Sequence, residues 1–415
     1  MSTPHWLPNR TSQEACDAAL RNFERSYGYS ATGVWAAPGR VNLIGEHVDY
    51  AGGICLPFAL EQSTYVAISP RDDDTIRIES WLPSHSEPAK AELRAGNLGP
   101  GEISGWLGYA LGPIWALREA GLLSPSARGY DVAIVSDVPL GSGLSSSAAI
   151  ECAVASAVVE LEKGDGALAD DATRTAIIQA AIRAENEVVG ASTGGLDQNI
   201  SLQGKSGFAL AIDFSTGQSY HVPCDLESHD LAILVIDSNA PHSLADGQYA
   251  SRRGIIDAVT HYCQASTLRD IGDDTAIYAA AQQWATSTGA DSDCTNRRVR
   301  HVVTEISRTL DAIESLKRAD FQAFGCAMYA SHKSLKEDYE VTVSQLDLIV
   351  DTAKDYGAIG ARMTGGGFGG SAIALVPRAE VHPMAQAISR SFAQAEFAPP
   401  AFLQATPSPG ARRER

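Results

Sequence analysis

The sequence predicts an α+β fold in two domains, and three observations predict it. The chain has 415 residues, 44% hydrophobic and 20% charged, an ordinary globular balance at a length sufficient for two or three domains. Apolar runs of strand length recur in both halves, among them Ile359–Met363 and Ser371–Val376, which flank a glycine-rich turn as a pair. Runs with helical spacing of apolar residues separate them, so helices cover mixed or antiparallel sheets in each half. A polar segment around Ser215 to Glu227 divides the halves and sets the expected domains at 1–222 and 223–415.

The first half reads as follows. Residues 11 to 27 form a helix, because Thr11 and Glu14 have capping-box spacing and Cys16, Leu20, Phe23 and Tyr27 share a face. A strand over Val34–Ala37 stops at Pro38-Gly39. Strands follow at Ile54–Leu60, Thr64–Ser69 and Thr75–Trp81, the last two joined by the turn residues RDDD. Residues 82 to 103 read as irregular. Ser104–Ala120 is a helix that Pro113 should kink. Tyr130–Val135 is a strand, Ala148–Glu162 an almost wholly apolar and therefore buried helix, and Thr173–Val189 a further helix.

A strand at Phe208–Asp213 closes the first half; in the second, a strand at Leu231–Asp237 leads into helices at Tyr249–Cys263, Arg297–Arg318, Asp320–Glu337 and Ser344–Tyr356. A helix over Glu380–Ala395 and a strand over Ala401–Ala405 precede a charged tail, ARRER.

Composition narrows function. The net charge of −18 argues against a nucleic-acid backbone or an anionic membrane as partner. The seven cysteines are scattered without a Cys-x-x-Cys, which reads as free thiols in a reducing cytosol. The N-terminus lacks the apolar core of a signal peptide, and no stretch reaches the ~18 apolar residues of a membrane span.

Chemistry concentrates in four stretches. PLGSGLSSSAAIE, Pro139 to Glu151, lies between a strand and a helix. Its glycines and the helix N-terminus suit a phosphate cradle, and equally a glycine turn with a serine N-cap. It is neither a Walker A loop nor a dinucleotide fingerprint. GRVNLIGEHVDYAGG, Gly39 to Gly53, sets Arg40, Glu46, His47 and Asp49 among apolar residues. Such half-buried charges make either a salt-bridge network or a polar ligand site; a zinc site lacks a second His or Cys. STGGLDQ, Ser192 to Gln198, puts Asp197 in a glycine-rich loop, as a cap or as a base. RMTGGGFGGSAIALV, Arg362 to Val376, has Gly-x-Gly-x-x-Gly spacing but precedes a strand.

In chain order, GRVNLIGEHVDYAGG, PLGSGLSSSAA and RMTGGGFGGSAIALV resemble the three signatures of the galactokinases in the GHMP small-molecule kinase superfamily, and the similarity runs from about Val34 to Arg413. The resemblance implies a two-domain fold with the active site at the domain interface, and ATP-dependent phosphorylation of galactose at C1 in the cytoplasm. It implies roles for single residues: Asp197 as base with Arg40 beside it; Glu46, His47, Asp49 and Tyr249 at the sugar; Gly141, Ser142, Gly143, Leu144, Ser145, Ser146 and Ser147 at ATP; Ser147 and Glu185 on Mg²⁺. Val48, Thr193 and Leu196 depart from the family pattern and should alter polarity near the sugar. The alternatives are a related sugar 1-kinase for N-acetylgalactosamine or arabinose, another GHMP kinase, and a non-catalytic sugar sensor. A monomer is expected.

Overall fold

The computed structural model describes residues 3–81, 87–124, 128–191, 193–240 and 245–415. In chain order the first half comprises β1 (His5–Trp6), α1 (Ser12–Tyr27), β2 (Gly33–Asn42), β3 (Ile54–Cys55), β4 (Pro57–Pro70), β5 (Thr75–Trp81), β6 (Ala89–Arg94), α2 (Trp106–Glu119), β7 (Tyr130–Ser136), α3 (Ser146–Lys163), α4 (Asp171–Ala184), α5 (Leu196–Gln203), β8 (Phe208–Asp213) and β9 (Gln218–Pro223). The second comprises β10 (Leu231–Asp237), α6 (Ala245–Tyr262), α7 (Asp274–Thr288), α8 (Ser292–Lys317), α9 (Phe321–Ser334), α10 (Ser344–Asp355), β11 (Gly360–Thr364), β12 (Ser371–Pro377), α11 (Val381–Gln394), β13 (Ala401–Ala405) and β14 (Arg412–Arg413).

Among the described residues, one sheet runs β14-β2-β4-β7-β5-β6, a second β1-β13-β10-β12-β11, and a small third β3-β8-β9. The β5–β7 and β1–β13 pairs are parallel and the remainder antiparallel. The α+β class with mixed sheets under helices is therefore the one adopted.

Both faces of the first sheet are covered, which is why β2 is buried along its whole length. Val34 and Ala36 pack with Phe23 of α1, while Trp35 and Ala37 pack with α2, α3 and α4, following the two-residue period of a strand. A separate core joins the halves: Val41, Leu43 and Phe58 meet Ile233, Ile373, Phe324 and Met328. The polar stretch that follows β2 is therefore held over an apolar floor.

Several expectations fail for local reasons. The strand expected to stop at Ala37 continues to Asn42, because the register shifts between Pro38 and Arg40 and spares Pro38 a ladder bond. Gly39 is needed there: a Cβ would sit 2.5 Å from the Leu144 carbonyl oxygen of the serine loop. The strands expected at Thr64–Ser69 and at the end of Ile54–Leu60 are one strand, β4. The RDDD turn leads out of β4 without pairing it to β5, since β7 lies between them. The stretch read as irregular holds β6; its residues 82–86 lie outside the described residues. The polar segment read as a boundary holds β9, and α7 had no counterpart in the expectations. The helices expected to end at Val189 and Glu337 pass instead into π turns, Glu185–Val189 and Leu335–Tyr339.

The termini exchange sheets. β1 joins the second sheet beside β13, and β14, in the tail read as merely charged, joins the first beside β2. Charge concealed this strand, because its arginines are used sideways. Arg413 lies over the Trp35 ring, 4.9 Å from its centroid, and Val34 N–H donates to the Arg415 carbonyl at 2.9 Å. No helix among the described residues is long and apolar enough to cross a membrane. Deleting residues 412–415 uncovers an edge of β2 and one face of Trp35. Calorimetry on that deletion should show a thermal midpoint lowered by several degrees.

Candidate active site

The residues after β2 turn back on themselves through Gly45 and through His47, whose φ is +60°. A short 3-10 turn, Asp49–Ala51, ends the reversal. This places Arg40, Glu46, His47 and Asp49 along one wall of a cavity of about 190 Å³. Glu185, at the start of the first π turn, and Asp197 line the same cavity, as do Tyr249 of α6 and Gly365-Gly366. A larger cleft of about 680 Å³ lies elsewhere and contains none of these residues; its Arg378 is paired with Glu227 at 3.1 Å.

Asp197 is not in a loop, as the glycines around it suggest. It sits in the first turn of α5, after Gly195 (φ +92°). Arg40 Nε donates to Asp197 Oδ1 at 2.8 Å, and the Ser145 hydroxyl donates to Oδ2. Arg40 Nη1 also donates to the Gly143 carbonyl at 2.6 Å. One guanidinium thus joins the end of β2, α5 and the serine loop.

Gly141 and Gly143 in that loop have φ of +72° and +74°, and Ser145 shares the left-handed region at +61°. Ser145 occupies the N-cap of α3 without capping it, since its hydroxyl goes to Asp197. The first-turn N–H groups of α3 therefore have no side-chain cap, the arrangement that favours an anion. Of the two readings open for this loop, the serine cap is the one the geometry removes. The loop also packs on the second glycine-rich turn: Ser371 donates to the Ser142 carbonyl at 2.7 Å.

Glu46 is almost completely buried and held by four donors. Oε2 accepts from Asn42 Nδ2 at 2.7 Å and pairs with Arg362 at 2.6 Å; Oε1 accepts from Gly365 N–H at 2.9 Å and Thr364 Oγ1 at 3.3 Å. Burial pushes its carboxyl upward and Arg362 opposes the shift. Arg362 appeared in the sequence only as the edge of a glycine motif; the fold makes it the counter-ion of the wall. Asp49 is raised chiefly by burial and eased by the Tyr50 N–H. Gly194 must lack a side chain, because a Cβ would meet Asp49 Oδ2 at 2.1 Å.

Behind Glu185 lies an acid that sequence reasoning did not assign. Gln198 Nε2 donates to Glu185 Oε2 at 2.6 Å and to Glu151 Oε2 at 2.9 Å, and Glu151 Oε1 has no partner. Burial, then the charge of Glu185, raises Glu151 well above the usual carboxylate range. Glu185 is itself raised by burial and then by Asp197. A cation beside Glu185 would relieve both repulsions, and the Glu185 carboxylate is a hard oxygen donor of the kind Mg²⁺ takes; Ser147, in the first turn of α3, does not line this cavity. No cluster of three or more acidic, His or Cys side chains able to hold a metal occurs among the described residues, so other ligands would come from phosphate and water.

The three departures separate. Thr193 and Leu196 line the cavity, whereas Val48 is buried in the helical core of the second half and does not. Tyr249 packs against His47 with ring centroids 5.4 Å apart and the planes tilted by 43°.

Two expectations follow for stability. Arg362→Met leaves the Glu46 carboxylate buried without its counter-ion and should cost about 3–5 kcal/mol, read by urea unfolding. The second concerns His47 and His301, whose ordinary value is 6.5: burial lowers both, His47 to about 3. The unfolded chain therefore binds these protons at higher pH than the folded one. The stability they contribute is full above about 6.5 and declines as pH falls below it. The urea midpoint should drop between pH of about 7 and about 5.5, and less steeply in His301→Gln.

Comparison with known proteins identifies the family. The chain matches the galactokinase galactose-binding signature over residues 21–70, the GHMP kinase N-terminal domain over 108–205 and the GHMP kinase C-terminal domain over 312–394. It is 40% identical over 391 residues to the galactokinase of Streptomyces coelicolor, covering 94% of this chain and 96% of that one. The crystal structure of Lactococcus lactis galactokinase complexed with galactose superposes with a TM-score of 0.84 at 30% identity, over 95% of this chain and 99% of that one. A mevalonate kinase shares the fold alone, with a TM-score of 0.61 at 18% identity over 90% of this chain and 98% of its own. With its signature, its relatives and its fold in agreement, the chain belongs to the galactokinase family.

Proposed function

We propose that this chain transfers the γ-phosphoryl group of ATP to the C1 hydroxyl of D-galactose, giving α-D-galactose 1-phosphate. The observation that carries the assignment of roles is the joint of Arg40, Asp197 and Ser145. It ties a carboxylate and a guanidinium of the cavity to the serine loop, and the same cavity is lined by Glu46, His47, Asp49 and Tyr249.

Asp197 accepts the proton of the C1 hydroxyl as the sugar oxygen bonds to the γ-phosphorus. The bond from that phosphorus to the β–γ bridging oxygen breaks and ADP leaves. Phosphoryl transfer of this kind depends on positioning and charge neutralisation. Arg40 stabilises charge on the equatorial oxygens, and the N–H groups of Gly141–Ser147 hold the phosphates at the positive end of α3. Ser147 and Glu185 are the residues that would hold the Mg²⁺ that accompanies ATP, and its charge would neutralise the phosphate oxygens. Asp49 and Tyr249 take sugar hydroxyls, with Glu46 and His47 completing the wall. An epimer is disfavoured because it leaves buried acceptors unpaired. In this reading residues 1–222 and 223–415 form the two kinase domains of a cytoplasmic monomer.

Initial rates of ADP formation against galactose, glucose, N-acetylgalactosamine, arabinose and mannose, with Mg²⁺ and with EDTA, test the proposal. Turnover should be greatest on galactose, far lower on glucose and abolished by EDTA. Absence of turnover on every sugar overturns it. Asp197→Asn should lower kcat roughly 10²–10⁴-fold while both substrates still bind by calorimetry. Near-normal turnover would remove Asp197 from the base role.

A further inference from the structure

His47 has both ring nitrogens engaged and none to spare. Nε2 lies 3.2 Å from the Gly366 carbonyl, an atom that only accepts, so Nε2 carries the proton. The neutral ring then has a bare Nδ1, which faces the Tyr50 hydroxyl at 3.3 Å and accepts from it. That uses the one proton of Tyr50. The Tyr339 hydroxyl, 2.6 Å from Tyr50, must therefore donate to Tyr50. The direction of the chain is determined from end to end: Tyr339 O–H to Tyr50 O–H to His47 Nδ1, and His47 Nε2–H to Gly366.

The fold supports this chain at each link. Tyr339 closes the second π turn, before Glu340 at φ +54°; the wider turn carries its ring inward, where it is wholly buried. The same ring packs on His47 at 4.9 Å and on His301 at 4.6 Å between centroids. His301 in turn donates from Nε2 to the Glu46 carbonyl at 3.0 Å. His47 itself holds a left-handed backbone, a conformation that a non-glycine residue keeps only when its surroundings enforce it.

From this arrangement we infer that Tyr50 and Tyr339 are positioning residues for the sugar end of the site. They hold His47 in the Nε2–H tautomer, and His47 thereby fastens the Gly365-Gly366 backbone that forms a wall of the cavity. The kinetic consequence rests on the proposed function. The hydrogen-bond chain does not.

The test uses the full-length enzyme and two variants, Tyr50→Phe and Tyr339→Phe. Each keeps the ring and removes one hydroxyl. Tyr50→Phe leaves Nδ1 buried without a donor, and it should raise the KM for galactose about tenfold while the KM for ATP stays within about twofold. Tyr339→Phe leaves Tyr50 able to donate and should produce the same pattern more weakly. Histidine-¹⁵N NMR, with the His47 signal identified by its loss in His47→Gln, should show a bare Nδ1 and a protonated Nε2 in the parent enzyme. In Tyr50→Phe that signature should shift toward mixed tautomers. An unchanged galactose KM with an unchanged tautomer in a folded Tyr50→Phe overturns the inference, as does a parallel rise in both KM values. Should Tyr50→Phe fail to fold, Tyr339→Phe decides by the same readings. A parent enzyme that turns over on no sugar overturns the function instead, and the NMR arm still tests the chain.

Discussion

The ion pair between Glu46 and Arg362 is the contact on which the rest of the site depends. The two residues come from opposite halves of the chain, Arg362 is fully buried and Glu46 nearly so, and their atoms meet at 2.6 Å. A buried charge without a partner is costly, so neither residue tolerates the two halves separating at this point. The same carboxylate accepts the Gly365 N–H, across 319 residues of sequence. One charged group therefore sets the distance between the loop after β2 and the turn after β11, and the cavity is the space left between them.

Close backbone approach does the complementary work. Gly39 admits the Leu144 carbonyl, Gly194 admits the Asp49 carboxylate, and Gly365 would bring a Cβ within 3.2 Å of the Gly143 carbonyl. Around a cavity this small, no side chain at these positions would leave the opposing polar groups within reach. The glycines make room, and Arg40 uses it by bonding Asp197 and the Gly143 carbonyl together. Geometry of this kind, fixed before a ligand arrives, is what allows charge stabilisation without reorganisation.

The electrostatics divide the cavity into two ends. Around His47 the direct contacts are hydroxyls, rings and carbonyls, with the charges of Arg362 and Glu305 farther back, and burial holds the imidazole uncharged. Around Glu185 carboxylates accumulate, with Glu151 and Asp197 near, and burial raises the first two. A polyhydroxyl ligand suits the first environment and a cation the second. The π turns contribute to both, since one begins at Glu185 and the other ends at Tyr339. The extra residue in each turn re-aims a side chain that a regular helix would have carried elsewhere.

The sequence by itself determined the class of fold and the short motifs that mark the family. Capping at Thr11, apolar periodicity and glycine-rich turns are local signals, and short motifs such as that around Glu46 and Asp49 are contiguous by nature. Its errors lay where a neighbour overrode the local signal: β2 passing through Pro38 on a bulge, Asp197 starting a helix, β14 formed by arginines lying along Trp35. Only the tertiary structure decided which residues would hold the motif side chains in place. Arg362 and Tyr339 reach their partners Glu46 and Tyr50 from the other half of the chain, and Gln198 and Glu151, though inside the motif stretches, carry no local signal that they would stand behind Glu185. The pairing energy of a buried charge or hydroxyl depends on distance in space, which no spacing along the chain encodes.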